Sequence, residues 1–248
     1  MEYLYETKAG SYEDYASGRV LYNAPGVTSF PVRLGSEIVQ RCFDFFEKRG
    51  NSGPYTLYDP CCGGAYLLTV TGFLHGPRIR RMYASDVDPN ALSVAGKNLA
   101  LLTKEGLRNR ELQLRELYEN YGKPSHKEAL ESLDRFKPAV SGLTLDESVV
   151  FQDNITEPHH LDQVDQPIQM VLTDLPYGDL VSWESGLTNP VSALFEHVYP
   201  LLSSKGAVVA MIADKSQKLG HARYKRLQHF KVGKRQVAIF EPNRDPEA

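Results

Sequence analysis

Four short apolar stretches each end on an aspartate, at Asp59 (YTLYD), Asp86 (RMYASD), Asp153 (SVVFQD) and Asp174 (IQMVLTD), and this repetition limits the possible folds more than any other feature. Runs of this size bounded by Gly and Pro have the composition of strands. Segments of helical spacing separate them. Leu34 to Lys48 brings Ile38, Cys42, Phe45 and Phe46 to one face, Ala65 to Leu74 is an apolar run, and Leu92, Ala95, Leu99 and Leu102 recur after Pro89. Alternation of this kind predicts an α/β chain with a mostly parallel sheet covered on both faces.

The remaining segments fit that plan. Residues 1–33, rich in Tyr, Gly and Pro, predict an amino-terminal arm of extended chain or short helices. Residues 104–146 predict a helical insertion, strongly charged between Lys104 and Pro138, with Leu107, Leu112, Leu114, Leu117 and Tyr118 among its sparse apolar positions. After Asp174 come a helix (NPVSALFEHVYPLL), a strand (GAVVAMIAD), a basic segment and a last strand (QVAIFEP). One domain over residues 1–248 is the expectation.

A net charge of −3 made from interspersed acids and bases is that of a folded soluble protein. No cationic leader or membrane-length apolar run is present, so a cytoplasmic protein without membrane contact is expected. Cys42, Cys61 and Cys62 cannot all pair, and zinc would need ligands at C-x-x-C or histidine spacing that His159-His160 alone do not supply, so neither a disulfide framework nor a metal is expected. Charge is nevertheless uneven. From Lys205 to Arg235 the cations Lys205, Lys215, Lys218, Arg223, Lys225, Arg226, Lys231, Lys234 and Arg235 face one acid, Asp214, which reads as a polyanion-binding surface or a solvated face.

Open parallel sheets bind ligands beyond the carboxyl ends of their strands, near the reversal of strand order. A strand-end Asp can serve merely to cap the next helix, yet four in series point to a site. Asp59-Pro60-Cys61-Cys62-Gly63-Gly64-Ala65 is a turn whose small residues let a ligand approach the main chain at a helix amino terminus. Asp86 stands where an acid accepts hydrogen bonds from two ribose hydroxyls, so a nucleoside-bearing cofactor fits. Asp153 could accept from an adenine amino group, with Val87 and Asn154 bordering the ring; helix capping is the competing explanation. Asp174-Leu175-Pro176-Tyr177-Gly178 combines a carboxylate, a carbonyl at Leu175, a stiffening proline and an aromatic face, a set suited to a planar amide or amine. The competing explanation is a turn around a buried tyrosine.

The motifs D-P-C-C-G-G, S-D-V-D-P and D-L-P-Y-G, in this order, resemble class I S-adenosylmethionine-dependent methyltransferases that modify nitrogen. The longer stretches GRVLYNAPGVTSFPVRLGSEIVQR, LYDPCCGGAYLLTV, ASDVDPNALSVAGKNLALL, GKPSH and VLTDLPYG resemble the avilamycin-resistance ribosomal RNA methyltransferase family, from about Gly18 to the final strand. That resemblance implies a single Rossmann-like domain with added helices, S-adenosylmethionine as cofactor, and methylation of a guanine of 23S ribosomal RNA at ring N1. Resistance to an orthosomycin-type antibiotic is the associated role. Asp59, Cys61, Gly63 and Gly64 fall to the cofactor turn, Asp86 to the ribose, and Asp174 to Tyr177 to the target base. One departure is Ala65: the usual turn ends Gly-Ser-Gly, whereas Gly64 and Ala65 hold the last two places here.

Guanine N1 carries a proton, so the expectation is that Asp174 accepts it, Tyr177 stacks on the base and the Leu175 carbonyl receives the exocyclic amine. Arg223, Lys225 and Arg226, with Lys215, Lys218, Lys234 and Arg235, are the expected phosphate contacts; Arg33, Arg108 and Arg110 are further candidates. A monomer is expected. Guanine N2 methylation, and a non-catalytic RNA-binding protein that retains the fold, are the alternatives.

Overall fold

The structure, a computed structural model, describes residues 2–23, 30–158, 162–176 and 189–244. Its strands are β1 (Tyr55–Asp59), β2 (Ile79–Asp86), β3 (Glu147–Gln152), β4 (Met170–Asp174), β5 (Val208–Asp214), β6 (Tyr224–Val232) and β7 (Arg235–Pro242). They form one seven-stranded sheet in the order β3-β2-β1-β4-β5-β7-β6. The first five are parallel, and β7 runs antiparallel to both β5 and β6. The α-helices are α1 (Val32–Glu47), α2 (Tyr66–His75), α3 (Pro89–Ala100), α4 (Lys104–Tyr121), α5 (Pro124–Ser141) and α6 (Pro190–Val198).

Alternation along each strand builds two cores. Leu57, Ala84, Leu172, Ala210, Ile212 and Ile239 face a layer made by α1, α2 and α3. Tyr58, Tyr83, Val171, Val209, Met211 and Phe240 face α6 through Leu194, Phe195 and Val198. Every residue of β1 is buried, the pattern of a strand covered on both sides. From β1 the chain moves outward through β2 to β3, then returns to lay β4 on the other side of β1. The strand order therefore reverses between Asp59 and Asp174.

The structure resolves the helical insertion and corrects the sequence reading in two further places. The insertion is a hairpin of two helices: Thr103 caps α4 by accepting from Gly106 N at 3.0 Å, Gly122 ends it at φ 59°, and Pro124 opens α5. The basic segment contains a strand, β6. There, exposed Lys225, Arg226, His229 and Lys231, together with a bulge between Arg226 and Gln228, break the period-two pattern. Charges suit an edge strand because they discourage further pairing. The last strand starts at Arg235, earlier than its apolar run.

The arm is held by polar side chains from the helices. Buried Glu37 of α1 accepts the backbone N–H groups of Leu4, Tyr5 and Glu6 at 2.8–2.9 Å and the Arg41 guanidinium at 2.8 Å. Arg33 donates to the Glu6 carbonyl at 2.6 Å and lies over the Tyr3 ring. Farther along, Asp14 accepts from Arg135 and Ser132 of α5, and Arg110 of α4 donates to the carbonyls of Val20 and Arg19. The hairpin is thus a platform for the arm. Removing Glu37 would leave Arg41 buried without its carboxylate and three backbone donors without an acceptor. Glu37→Ala should therefore cost about 3 kcal/mol in urea unfolding; a loss under about 1 kcal/mol would contradict this clip.

Candidate active site

None of the aspartates at the ends of β1, β2 or β4 caps the helix that follows. At its start α2 has Ala65 with no side-chain cap, α3 is capped by Asp88, and α6 is capped by Asn189. Capping fails for Asp153 too: among the described residues no helix lies between β3 and β4. The acids therefore serve something other than helix initiation.

Their local bonds draw the strand ends together. Cys61 N donates to Asp59 Oδ1 at 3.1 Å and Gly63 N to Asp86 Oδ2 at 2.8 Å, so the β1 turn is fastened to the end of β2. Cys62 N donates to the Ser85 carbonyl at 2.9 Å, and Asp153 N to the Asp86 carbonyl at 3.1 Å. Val87 offers its carbonyl to Gln152 Nε2 at 2.9 Å. Asn154 folds its amide oxygen back on Thr156, accepting from both N–H and hydroxyl, and donates to Glu157. It therefore shapes the turn after β3, with its side chain engaged locally.

Burial, with the charges of Asp86 and Asp174 adding to it, pushes the Asp59 carboxyl up to about 7 against the pull of the Thr173 hydroxyl and the Cys61 N–H. Three carboxyls at adjacent strand ends make a site that favours a cation. Beside them, α2 presents an amino terminus free of side-chain caps, which favours a carboxylate. A ligand that carries both a positive charge and a carboxylate matches both.

Ala65, the departure noted in the turn, takes the backbone of a glycine: its φ and ψ are 52° and 30°. An L-residue held there costs about 1 kcal/mol or more, so surrounding bonds must maintain it. Ala65 N donates to the Cys62 carbonyl at 2.7 Å, and the Gly64 carbonyl accepts from Asn98 Nδ2 at 2.8 Å.

At β4, buried Leu175 continues the ladder by donating to the Ile212 carbonyl at 2.9 Å, and the Pro176 carbonyl accepts from Gln217 Nε2 at 3.1 Å. Gln217 is in turn held by Gln236, whose Nε2 donates to the Gln217 carbonyl at 2.6 Å and to that of Asp214 at 2.8 Å. Sequence reasoning missed both glutamines, and no linear pattern marks them. Tyr177 and Gly178, as well as His159 and His160, lie outside the described residues.

With this geometry in view, the chain can be set beside known proteins. The family profile described as rRNA methyltransferase AviRa matches residues 1–235. The protein belongs to the AviRa rRNA methyltransferase family. A 23S rRNA (guanine(2535)-N(1))-methyltransferase of Streptomyces viridochromogenes is 42% identical over 231 residues, covering 91% of this chain and 90% of that protein. The solved structure of the rRNA methyltransferase aviRa from the same organism aligns with a TM-score of 0.85 at 39% identity, covering 97% of this chain and 96% of that one. TrmN from Thermus thermophilus shares the fold, with a TM-score of 0.50 at 14% identity over 87% of this chain and 50% of that one.

In this AviRa family member the basic residues fall into two separate groups. Lys215 follows the end of β5 and donates its N–H to the Lys234 carbonyl at 3.3 Å; Lys218 follows Gln217; Lys231 and Arg235 flank the β6–β7 turn. These stand at the carboxyl end of the parallel strands, the side of Asp174, with Arg235 over the Phe30 ring. Lys225 and Arg226 pair with Glu241 and Phe240 at the other end of β6, about 20 Å away at the usual rise of a strand. Arg223 lies at that far end, bonded to Glu196 at 2.9 Å and stacked on Tyr199, and Lys225 is 3.4 Å from Glu241. Arg33 and Arg110 are spent on the arm, and Arg108 is exposed on α4. The described part has no helix long and apolar enough to cross a membrane.

Because the folded state holds the Asp59 proton up to about pH 7 and the unfolded chain releases it near pH 4, this group's stabilising contribution declines as pH rises through that window. Wild-type protein without cofactor should lose stability relative to Asp59→Asn between about pH 4 and about pH 7, measured by urea unfolding. A constant difference across that range would contradict the raised Asp59.

Proposed function

We propose that this protein methylates a guanine of 23S ribosomal RNA at ring N1, with S-adenosylmethionine as cofactor. The observation that carries this reading is the meeting of Asp59, Asp86 and Asp174 at the reversal of strand order, in a chain 42% identical to a guanine-N1 methyltransferase. S-adenosylmethionine supplies an electrophilic methyl group on a sulfonium centre. Asp86 would hold the ribose hydroxyls, the cofactor turn from Asp59 to Gly64 the amino-acid end, and Asp153 with Val87 the adenine.

The chain's own work is positioning and proton removal. Asp174 accepts the N1 proton of guanine, directly or through water, which frees the nitrogen pair for the methyl group. The Leu175 carbonyl accepts from the exocyclic amine, and Tyr177 is assigned the stacking face. Gln217 fixes the Pro176 carbonyl and thereby the direction in which the chain leaves β4. A base in folded RNA must be extruded to reach this edge, at a cost of a few kcal/mol. Phosphate contacts offset that cost, and Lys215, Lys218, Lys231, Lys234 and Arg235 stand on the correct side to make them. The resistance role carried by the family resemblance belongs to this same modification.

Asp174→Asn should keep cofactor binding while slowing methyl transfer to 23S rRNA about 100-fold or more, with 1-methylguanosine as the wild-type product on nucleoside mass spectrometry. An unchanged rate would remove the base role, and N2-methylguanosine as product would favour the exocyclic alternative. Replacing Lys215, Lys231 and Lys234 together by Ala should lower the salt slope of RNA binding by about 2 to 3, whereas changing Arg223 and Arg226 leaves it intact. The reverse pattern would move the RNA surface to the far end of β6.

A further inference from the structure

The arm and the cofactor turn meet on one buried side chain. Asn98, in the last turns of α3, is 1% exposed, and its amide makes three bonds to two segments remote in sequence. Nδ2 donates to the Gly64 carbonyl at 2.8 Å and to the Tyr22 carbonyl at 3.1 Å, while Oδ1 accepts from Tyr22 N at 2.8 Å. Both amide hydrogens and one oxygen site are therefore committed. Gly64 is the residue before Ala65, and a planar peptide joins the Gly64 carbonyl to the Ala65 nitrogen. Holding that carbonyl holds the plane from which the left-handed Ala65 departs.

We propose that Asn98 is a positioning residue for the cofactor turn, and that through it cofactor affinity depends on docking of the amino-terminal arm. This rests on the cofactor reading given above. The arm is anchored well away from the turn, by Asp14 on Arg135 and Ser132, and near it by the Tyr66 hydroxyl, which donates to the Tyr15 carbonyl at 2.7 Å. A docked arm keeps Tyr22 in place, Tyr22 completes the Asn98 amide, and Asn98 orients the Gly64–Ala65 peptide. Linkage makes the effect reciprocal: cofactor bound at the turn tightens the arm by the same factor by which the docked arm tightens the cofactor.

Two variants test this. Asn98→Asp keeps the oxygen that accepts from Tyr22 and loses both donated bonds; Asp14→Asn loosens the arm without touching the turn. Isothermal titration with S-adenosylhomocysteine should give a Kd raised about 10-fold or more by Asn98→Asp and about 2-fold to 5-fold by Asp14→Asn. In kinetics the KM for S-adenosylmethionine should rise while that for RNA stays, a split that a general loss of folding would not produce. In wild-type protein the cofactor product should slow amide hydrogen exchange in the arm peptide containing Tyr22. An Asp14→Asn protein with faster arm exchange and an unchanged Kd would overturn the coupling, as would an unchanged Kd in folded Asn98→Asp. Failure of the wild-type protein to bind S-adenosylhomocysteine would instead overturn the cofactor reading, and the coupling with it.

Discussion

A buried carboxyl beside two others is the constraint around which the rest of this molecule is arranged. Asp59 ends the middle one of the five parallel strands, with the acid of β2 on one side and the acid of β4 on the other. Like charges gathered at a buried edge are unfavourable unless something answers them. In the protein alone burial, with those charges adding to it, pushes the Asp59 carboxyl up to about 7, so it holds a proton. A bound cation would replace the proton, so the same cost that weakens the empty site becomes selectivity for a positively charged ligand. The parallel order β2-β1-β4 creates this crowding, and the placing of β4 on the far side of β1 from β2 puts it at the reversal of strand order.

Around that edge, segments outside the sheet are tied to the strand ends directly or through one another. The arm reaches the turn after β1 through Asn98, the helical hairpin of α4 and α5 holds the arm, and the β5–β6 connection reaches the Pro176 carbonyl through Gln217. The added helices therefore contribute more than bulk. They carry Arg110, Ser132 and Arg135, whose bonds hold Asp14 and Val20 of the arm. The β6–β7 hairpin completes the picture by bringing Lys231, Lys234 and Arg235 to the side of Asp174, whereas its other end is ion-paired and faces away.

The parts of this plan that depend on local pattern were legible in the sequence. A carboxylate that interrupts an apolar run announces itself, so β1, β2 and β4 end where the linear reading ends them, and Pro89 does open α3. The turn at Ala65 was visible as a departure, though not that Ala65 adopts the glycine backbone outright. Edge strand β6 was hidden because solvent on its outer side permits charges at positions a buried strand would fill with apolar residues. Gly233, at φ 56° between Val232 and Lys234, is the hairpin signal that could have located it. Asn98 and Glu37 were not legible at all. Each is a polar residue beside an apolar stripe, which in sequence suggests solvent, and each is buried because a distant segment satisfies it. The two groups of basic residues look continuous along the chain, and only the length of β6 separates them.

If Asp59 exchanges its proton for the positive charge of the cofactor, binding must release that proton. Isothermal titration of S-adenosylmethionine near pH 7, repeated in buffers of unequal ionisation enthalpy, reads this directly. About half a proton should pass to the buffer per site, as expected for a carboxyl titrating at about 7, and Asp59→Asn should abolish the release. Binding with the same enthalpy in every buffer would contradict a cation site built on the strand-end carboxylates.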